Sequence, residues 1–305
     1  MRPRYSFILL FLACMLLAAC HQDDDRQAGP RYGNAPKSRK IATYRLAIHP
    51  LHNPEHLIKA YMPMIDYLNA NIADARFVLE ASRDYSSYEA KYRAGEPEFL
   101  LPNPWQTLQA IRVGYHVLLM AGDARDFKGI FLVRKGSPIH RPVDVKGKRI
   151  SYPSPTALAA CIMPQLYLQR HGVNVMTEVD NRYVGSQESS INNVLLGLTD
   201  VDVTWPPPWR AFGKSHPAEA DKLKVIWETP TALNNSVMAR DDMPLALQQK
   251  LRDLLLALGN TQQGRGILAQ METSRFYTAN NASYEPVRQL VRQFEAEVRP
   301  VEQPR

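Results

Sequence analysis

The sequence predicts an α/β fold divided into two lobes. Short runs rich in β-branched and aromatic residues alternate with stretches of helical periodicity, a pattern typical of mostly parallel sheets covered by helices. The 286 residues that follow position 19 exceed what one hydrophobic core usually organises, so two domains are expected. The sequence contains no internal repeat and no low-complexity stretch that would suggest a solenoid or a disordered chain.

Ten runs are predicted as strands. Each is short, rich in apolar residues, and bounded by residues that favour turns. They are Tyr44–His49, Arg76–Ala81, Glu98–Leu101, His116–Ala121, Gly129–Arg134, Lys148–Tyr152, Arg182–Gly185, Asp200–Thr204, Lys224–Trp227 and Ser236–Ala239.

Helices are predicted where apolar residues recur every three or four positions. The first follows the start signal Asn53-Pro54, and Pro63 inside it predicts a kink or a late start. Its apolar face consists of Leu57, Tyr61, Ile65, Leu68 and Ile72. Further helices are predicted at Thr156–Arg170, Leu245–Leu258 and Tyr284–Val298.

The amino terminus predicts export from the cytoplasm. Arg2 and Arg4 precede an apolar run from Phe7 to Leu17, which is too short for a membrane span of about 20 residues. Residues 1–19 are therefore predicted to be a signal peptide. The following Cys20 resembles the lipid-modified cysteine of bacterial lipoproteins, and the alternative is ordinary cleavage near Ala19.

The lipoprotein interpretation places the protein in the periplasm, attached to a membrane only through its lipid. His21 after the lipidated Cys20 favours the outer membrane by resemblance to other lipoproteins. Residues 20–43 are polar and contain several turn-forming residues, so they are predicted to form a flexible tether.

Composition excludes several functional classes. Removing Arg2 and Arg4 with the leader lowers the formal charge from +7 to +5, and no basic stripe with interleaved aromatics predicts nucleic-acid binding. No sequence motif of a hydrolase, metalloprotease, redox dithiol or phosphate-binding loop is present. The chain is therefore not predicted to be an enzyme, and no cofactor or metal is expected.

Two groups of residues leave chemical alternatives open. His49, His52 and His56 could form a metal site, although no acidic or thiol partner stands beside them, and the alternative is a turn that faces a cleft. Cys161 near the start of a helix could be a thiolate, because the helix dipole lowers a thiol pKa. The alternative is a small buried apolar residue.

The order and spacing of several segments resemble a known family over about residues 44–294. The chain resembles the phosphate/phosphite/phosphonate ABC-transporter substrate-binding proteins, the PhnD-like group of type II periplasmic binding proteins. The segments are Tyr44–Ile48, Leu100–Trp105, Phe127–Lys135, Val143–Arg149, Val184–Glu188, Ile226–Pro230 and Asn234-Asn235.

This resemblance implies a two-lobed type II periplasmic binding protein, with mixed sheets flanked by helices and a hinge of two crossover strands. Lobe one would comprise residues 44–125 plus 233–305, and lobe two residues 126–232. The partners would be a small-molecule ligand and an ABC permease, and the protein would be a monomer. Ligand contacts from both lobes would stabilise a closed form that the partner recognises.

The resemblance also implies ligand-binding positions between the lobes. Trp105 would close over the ligand, and the segment around Thr156 would contribute the turn that opens a helix. The complete set is His49, His52, Asn53, Asn103, Trp105, Thr156, Leu158, Cys161, Gln187, Trp205 and Asn235.

Three departures from the family pattern predict an altered ligand. The hydroxyl-bearing turn that holds the anion falls on Ala157–Ala160, which lacks both hydroxyl donors. Gln187 replaces a histidine found in many relatives. Trp205 and Trp209 flank three prolines where amino-phosphonate binders have an acidic turn; they would either wall the cleft or lie in the lobe-two core.

A second function remains open beside import. Some PhnD-like proteins sense a solute such as arsenite and present their closed form to the periplasmic domain of a membrane histidine kinase. Cys161 beside the altered turn motivates this alternative, because trivalent arsenic prefers sulfur ligands.

Overall fold

Two mixed β-sheets organise residues 41–302, which are the residues described by this computed structural model. The predicted signal peptide, Cys20 and most of the predicted tether lie outside them. Eleven strands occur in this part of the chain. They are β1 Ala42–Ile48, β2 Ala75–Glu80, β3 Phe99–Leu101, β4 Tyr115–Ala121, β5 Ile130–Arg134, β6 Arg149–Tyr152, β7 Asp180–Tyr183, β8 Val201–Thr204, β9 Leu223–Glu228, β10 Asn235–Arg240 and β11 Phe276–Thr278.

Helices cover both sheets. In the same residues, ten α-helices are α1 Pro54–Asn71, α2 Tyr85–Arg93, α3 Pro104–Ile111, α4 Met163–Arg170, α5 Gln187–Leu195, α6 Pro206–Ser215, α7 Pro217–Ala220, α8 Leu245–Ala257, α9 Gln262–Gln270 and α10 Glu285–Glu297. The predicted α/β class is confirmed by the two mixed sheets and the helices that flank them.

The sheets are less parallel than the alternation of elements predicts. The first has the strand order β11-β4-β10-β3-β1-β2, and the second has the order β7-β6-β8-β5-β9. Strands β10 and β5 each enter their sheet directly from the other one and run antiparallel to their neighbours. The expectation of mostly parallel sheets was therefore wrong, because two strands cross between the sheets instead of returning through a helix.

Other differences from the predicted elements have local causes. Pro63 lies inside α1, which nevertheless begins at Pro54, so the late start is not seen. Strand β1 begins at Ala42, within the last residues of the predicted tether. Strand β11 was not predicted, because a three-residue edge strand is too short to show alternation.

Two segments connect the sheets, and they run side by side. Residues 122–129 lead from β4 to β5, and residues 229–234 lead from β9 to β10. The N–H of Thr229 donates to the carbonyl of Gly129 at 2.9 Å, and the N–H of Ala232 donates to the carbonyl of Phe127 at 2.9 Å. The side chain of Asn234 adds a bond to the carbonyl of Asp123. These bonds hold the two connections together as one narrow strip.

Parallel strands of both sheets end at the strip between them. The carboxyl ends of β1 and β3 belong to the first sheet, and those of β6 and β8 belong to the second. Open α/β sheets usually bind ligands at this end of their strands. Within residues 41–302, no helix combines the length and apolar character needed to cross a bilayer.

Candidate functional site

A small cavity lies where the ends of the two sheets meet. The first sheet and its helices contribute His49, Tyr85, Asn103 and Asn235. The remaining lining residues are Phe127, Ala157, Leu158, Ala159, Ala160, Gln187 and Trp205. The volume open to the centre of a water-sized sphere is about 10 Å³, which is room for about one water molecule. The two halves of the fold are therefore closed on each other in this structure.

A single π-helical turn forms one wall of the cavity. Leu158–Ile162 adopt this turn directly before α4, where the sequence predicts a regular helix from Thr156. Pro164 explains the difference, because in a regular helix its ring would clash with the carbonyl of Ala160 and it has no N–H to donate. The wider turn avoids both problems, and such turns often occur at functional sites.

The π-turn leaves backbone donors at the cavity. Among residues 41–302, no acceptor bonds the backbone N–H groups of Leu158, Ala159 and Ala160. Free N–H groups at the start of a helix, together with the helix dipole, attract negative charge. The turn therefore keeps three donors suited to an oxyanion although it has no hydroxyl side chain.

His49 stands at the end of β1 with one ring nitrogen already bonded. Its Nδ1 lies 3.0 Å from the carbonyl oxygen of Leu101, and its backbone N–H donates to the same oxygen at 3.1 Å. A carbonyl oxygen only accepts, so Nδ1 carries the proton. Burial lowers the pKa of His49 to about 4, so the ring is neutral near pH 7.

Asn103 and Thr156 join the two halves beside the cavity. The side chain of Asn103 caps α3 and donates to the carbonyl of Thr156 at 3.2 Å. The Thr156 hydroxyl donates to the carboxylate of Glu89 at 2.6 Å, and Gln106 donates to the same oxygen at 3.1 Å. Burial raises the pKa of Glu89 above its usual range.

Gln187 makes a second bridge across the cavity. Its amide nitrogen donates to the hydroxyl of Tyr85 at 3.3 Å, and its oxygen accepts from the hydroxyl of Thr204 at 2.7 Å. Trp205 and Phe127 pack together nearby with ring centroids 5.3 Å apart. Trp205 therefore walls the cavity, whereas Trp209 lies with Phe212 in the smaller core of the second sheet.

Asn235 presents an amide with no partner. The residue is only 4% exposed, it lines the cavity, and its Oδ1 has no hydrogen-bond partner among residues 41–302. Leaving a buried amide oxygen unbonded costs about 1–3 kcal/mol. A polar ligand in the cavity would remove this cost.

Several predicted site residues do not line the cavity. Trp105 is 1% exposed and packs in the core behind Asn103. His52 is buried and stacks on His56, with ring centroids 4.3 Å apart. Asn53 caps α1 and donates to Glu188 at the outer mouth between the halves.

Cys161 does not have the reactive thiol considered from its position near a helix start. It is fully buried, and burial raises the pKa of its thiol to about 12, although Arg299 near the sulfur lowers it. The distance from Sγ to the Arg299 Nη2 is 3.7 Å. Desolvation outweighs the helix dipole here, so of the two alternatives for Cys161 the buried apolar residue agrees with the structure.

The cavity lining carries no formal charge at neutral pH. It contains no Lys, Arg, Asp or Glu, and its one histidine is neutral. In the part of the chain that the structure describes, no three His, Cys, Asp or Glu side chains are arranged to hold a metal ion. The site can therefore bind a ligand through hydrogen bonds and packing but offers no acid, base and nucleophile set.

Sequence reasoning missed three residues at or behind the site. Tyr85 and Phe127 line the cavity, and Glu89 lies behind it. Only Tyr85 had a local signal, because Asp84 before it is a helix cap whose side chain accepts from the backbone of Ser87. Phe127 and Glu89 reach the site through tertiary packing, which their local sequence does not reveal.

Comparisons with known proteins agree on one family. Residues 46–284 match the profile described as ABC transporter, phosphonate, periplasmic substrate-binding protein. The phosphonates-binding periplasmic protein of Escherichia coli (strain K12) is 21% identical over 174 residues, which is 56% of this chain and 52% of that protein. The aligned region thus spans about half the length of that relative.

Solved structures share the fold at low identity. PhnD1 from Prochlorococcus marinus (MIT 9301), in complex with methylphosphonate, has a TM-score of 0.76 at 18% identity, covering 83% of this chain and 98% of that chain. A binding protein component of an ABC phosphonate transporter from Pseudomonas aeruginosa has a TM-score of 0.74 at 17% identity, covering 82% and 85%.

A related architecture also serves sulfonates. The alkanesulfonate-binding protein SsuA from Xanthomonas axonopodis pv. citri, bound to MOPS, has a TM-score of 0.61 at 14% identity, covering 86% of this chain and 94% of that chain. The fold alone therefore does not specify the oxyanion. Because the family profile spans most of the chain, the protein belongs to the phosphonate-type periplasmic substrate-binding proteins of ABC transporters, a family of solute-binding proteins and not of enzymes.

Proposed function

We propose that this protein is the substrate-binding component of an ABC importer and that it takes up a small oxyanion with a specificity altered from ordinary phosphonates. The observation that carries this proposal is the set of free N–H groups at Leu158, Ala159 and Ala160, which line a cavity without charged side chains. Backbone donors at a helix start bind oxyanions without any cationic residue.

The altered specificity follows from what the turn lacks. Ala157, Ala159 and Ala160 supply no hydroxyl, so two hydrogen bonds of the family pattern are missing. Each is worth about 1.5–3 kcal/mol if it is made to a charged group. Trp205 and Phe127 add aromatic surface beside the donors. These features favour a ligand that carries less negative charge, or more apolar surface, than a dianionic phosphonate.

Binding is proposed to work through hinge closure between two lobes, residues 44–125 plus 233–305 and residues 126–232. The paired connections at Gly129 and Thr229 would form the hinge. A tetrahedral oxyanion is larger than the one water that the closed cavity accommodates, so the lobes must separate to admit it. Cross-cleft bonds such as Gln187 to Tyr85 would then re-form around the ligand.

A thermal-shift screen of residues 41–305 tests the ligand class. The panel is phosphate, phosphite, methylphosphonate, aminoethylphosphonate, sulfate, arsenite and neutral metabolites. A ligand at a hundredfold excess over Kd adds about 2.7 kcal/mol to the free energy of unfolding, so the melting temperature of the protein rises measurably. A shift with a small oxyanion supports the proposed ligand class, and a larger shift with methylphosphonate or aminoethylphosphonate than with the other oxyanions would contradict the altered specificity. Shifts with neutral metabolites alone would contradict it.

The arsenite-sensing alternative has less support than import. Its motivating thiol, Cys161, is fully buried outside the cavity lining, and its raised pKa disfavours the thiolate that a soft metalloid would require. Import and kinase sensing both use the closed form. Co-purification with a permease or with the periplasmic domain of a kinase distinguishes them.

We further propose that Cys20 carries the lipid that attaches the protein to the periplasmic face of a membrane, with the outer membrane favoured by His21. Mass spectrometry of the mature amino terminus tests this assignment. A diacylated Cys20 is expected in the membrane fraction, and the Cys20→Ala variant should be lost from it. An unmodified mature protein in the soluble periplasmic fraction would contradict the anchor.

A further inference from the structure

The hydrogen bonds of His49 determine which of its two ring nitrogens can accept a hydrogen from a ligand. The carbonyl oxygen of Leu101 receives both the backbone N–H and the Nδ1–H of His49, at 3.1 and 3.0 Å. These two bonds use both lone pairs of that oxygen. With Nδ1 protonated and the ring neutral, Nε2 carries a lone pair, and no donor among residues 41–302 bonds it.

A second unpartnered acceptor lies in the same cavity. The Oδ1 atom of Asn235 is buried without a hydrogen-bond partner within the described residues. Asn235 is the first residue of β10, and His49 directly follows β1, so both acceptors lie at the edge of the same sheet. The free N–H groups of Leu158, Ala159 and Ala160 belong to the other half of the fold. The residues that line the cavity thus include two with an unbonded acceptor from one half and three with unbonded N–H groups from the other.

No charged group near His49 supplies a competing proton or cation. Tyr85 meets its ring edge-on, with centroids 6.2 Å apart, and burial raises the pKa of Tyr85. Burial lowers the pKa of the neighbouring His52 to about 3. Glu89 bonds to Thr156 and Gln106, and Cys161 faces Arg299. The lone pair of Nε2 is therefore open to a hydrogen supplied by the ligand.

We propose that the cavity selects an oxyanion that keeps a proton, such as a hydrogen phosphonate or hydrogen phosphite monoanion, with His49 Nε2 accepting the ligand's hydroxyl hydrogen. The inference rests on the proposed oxyanion-binding function and specifies the protonation state of the ligand. The ligand's single hydroxyl hydrogen goes to His49 Nε2, and the N–H groups of Leu158–Ala160 bind the remaining, charged oxygens.

This arrangement would distinguish two ligands of equal charge by whether the ligand carries a hydroxyl hydrogen. A sulfonate is also a tetrahedral monoanion, but it carries no proton at neutral pH. Its oxygens would face the lone pairs of His49 and Asn235 with no hydrogen between them. A binding site whose buried polar groups are left unpaired rejects such an analogue strongly.

Isothermal titration calorimetry with methylphosphonate and methanesulfonate tests the inference, using residues 41–305 at several pH values from 6 to 9. If only the hydrogen phosphonate binds, its apparent affinity falls about tenfold per pH unit above the second pKa of methylphosphonate, as its protonated fraction does. Methanesulfonate should bind at least about tenfold more weakly at pH 6, with no comparable dependence on pH.

Variants separate the role of His49 from general effects of pH. His49→Phe should reduce the preference for methylphosphonate over methanesulfonate, and the exposed His140→Phe should leave it unchanged. The wild-type profiles decide the inference even if His49→Phe does not fold. Equal binding of both ligands, or methylphosphonate binding that does not weaken above that pKa, would overturn the inference alone. Failure of both ligands to bind at every pH would overturn the inference, and the proposed function would fall with it only if no oxyanion of the thermal-shift panel bound.

Discussion

The hydroxyl of Thr156 donates to the carboxylate of Glu89 at 2.6 Å, and this bond joins the segment after β6 to helix α2 across the two halves of the fold. Glu89 is a buried acid whose pKa is raised mainly by desolvation, and the bonds from Thr156 and Gln106 partly offset that effect. Burying Glu89 costs free energy because the acid is solvated better in water than in the protein interior. The hydrogen bonds from Thr156 and Gln106 offset part of that cost in the closed form.

Removing the Thr156 hydroxyl should destabilise the closed form. We expect Thr156→Val to lower the free energy of unfolding by about 1.5–3 kcal/mol, because one bond to a buried carboxylate is lost. Urea denaturation monitored by circular dichroism measures the change. The exposed Thr231→Val serves as the matched control. Equal midpoints for the two variants would show that the Thr156–Glu89 bond contributes little.

Asp202 predicts a dependence of stability on pH. It is fully buried on β8, and burial raises its pKa well above the usual value. The folded protein favours the protonated acid, so its contribution is most favourable below the unfolded pKa of about 3.9 and is lost progressively as the pH rises toward the folded pKa.

Asp202→Asn should remove this loss. We expect the variant to gain stability over the wild type as pH rises from 4 to 8, measured by urea denaturation at each pH. The exposed Asp221, which pairs with Lys135 and whose pKa is lowered, provides the control variant Asp221→Asn. If the difference in free energy of unfolding between Asp202→Asn and the wild type were the same at every pH, Asp202 would not change its protonation on folding.

Gly129 lies where one of the connections between the sheets packs against the π-turn, and this close packing leaves no room for a side chain. A Cβ atom there would lie 2.5 Å from the carbonyl oxygen of Ala159 and 2.5 Å from Cγ of Pro164. Gly129→Ala should therefore lower the melting temperature, consistent with an overpacking cost of about 1–3 kcal/mol. Gly266→Ala in α9, where nothing lies within 4 Å, should raise it slightly. A lower melting temperature for Gly129→Ala together with a higher one for Gly266→Ala would support this steric requirement, and changes of the same sign would contradict it.

Trp205 and Trp105 should behave differently in ligand binding. Trp205 lines the cavity, so Trp205→Phe should raise the Kd of a bound oxyanion roughly two- to tenfold through lost aromatic packing. Trp105→Phe should reduce stability and leave the Kd nearly unchanged, since that ring lies in the core. Calorimetric titration measures both. A larger effect on Kd from Trp105→Phe would restore the sequence-based placement of that ring.

The sequence predicted features that depend on local chemistry better than those that depend on packing. Asn53 and Asn103 before prolines were recognisable as helix starts, and both cap helices. Trp105 follows Asn103 by two residues, but its ring turns into the core, and no local pattern specifies that direction. Cys161 shows the same limit, because the Arg299 side chain that contacts its sulfur lies 138 positions along the chain.

The turn at Ala157–Ala160 shows a different limit. Its missing hydroxyls were readable from Ala157–Ala160, and they correctly describe the side chains at the cavity. The π-turn was not readable, because Pro164 signals a disturbed helix without specifying how the backbone adapts. The identities of the side chains in this turn therefore do not predict that its backbone N–H groups are left without partners.

In the proposed site, the N–H groups of Leu158, Ala159 and Ala160 bind the oxyanion. Nuclear magnetic resonance of protein labelled with ¹⁵N at alanine and leucine, titrated with methylphosphonate at pH 6, reports on each of these groups. We predict that these three amide signals shift and saturate with the calorimetric Kd, while that of the exposed Ala218 stays unchanged. Saturable binding that leaves all three signals in place would contradict the claim.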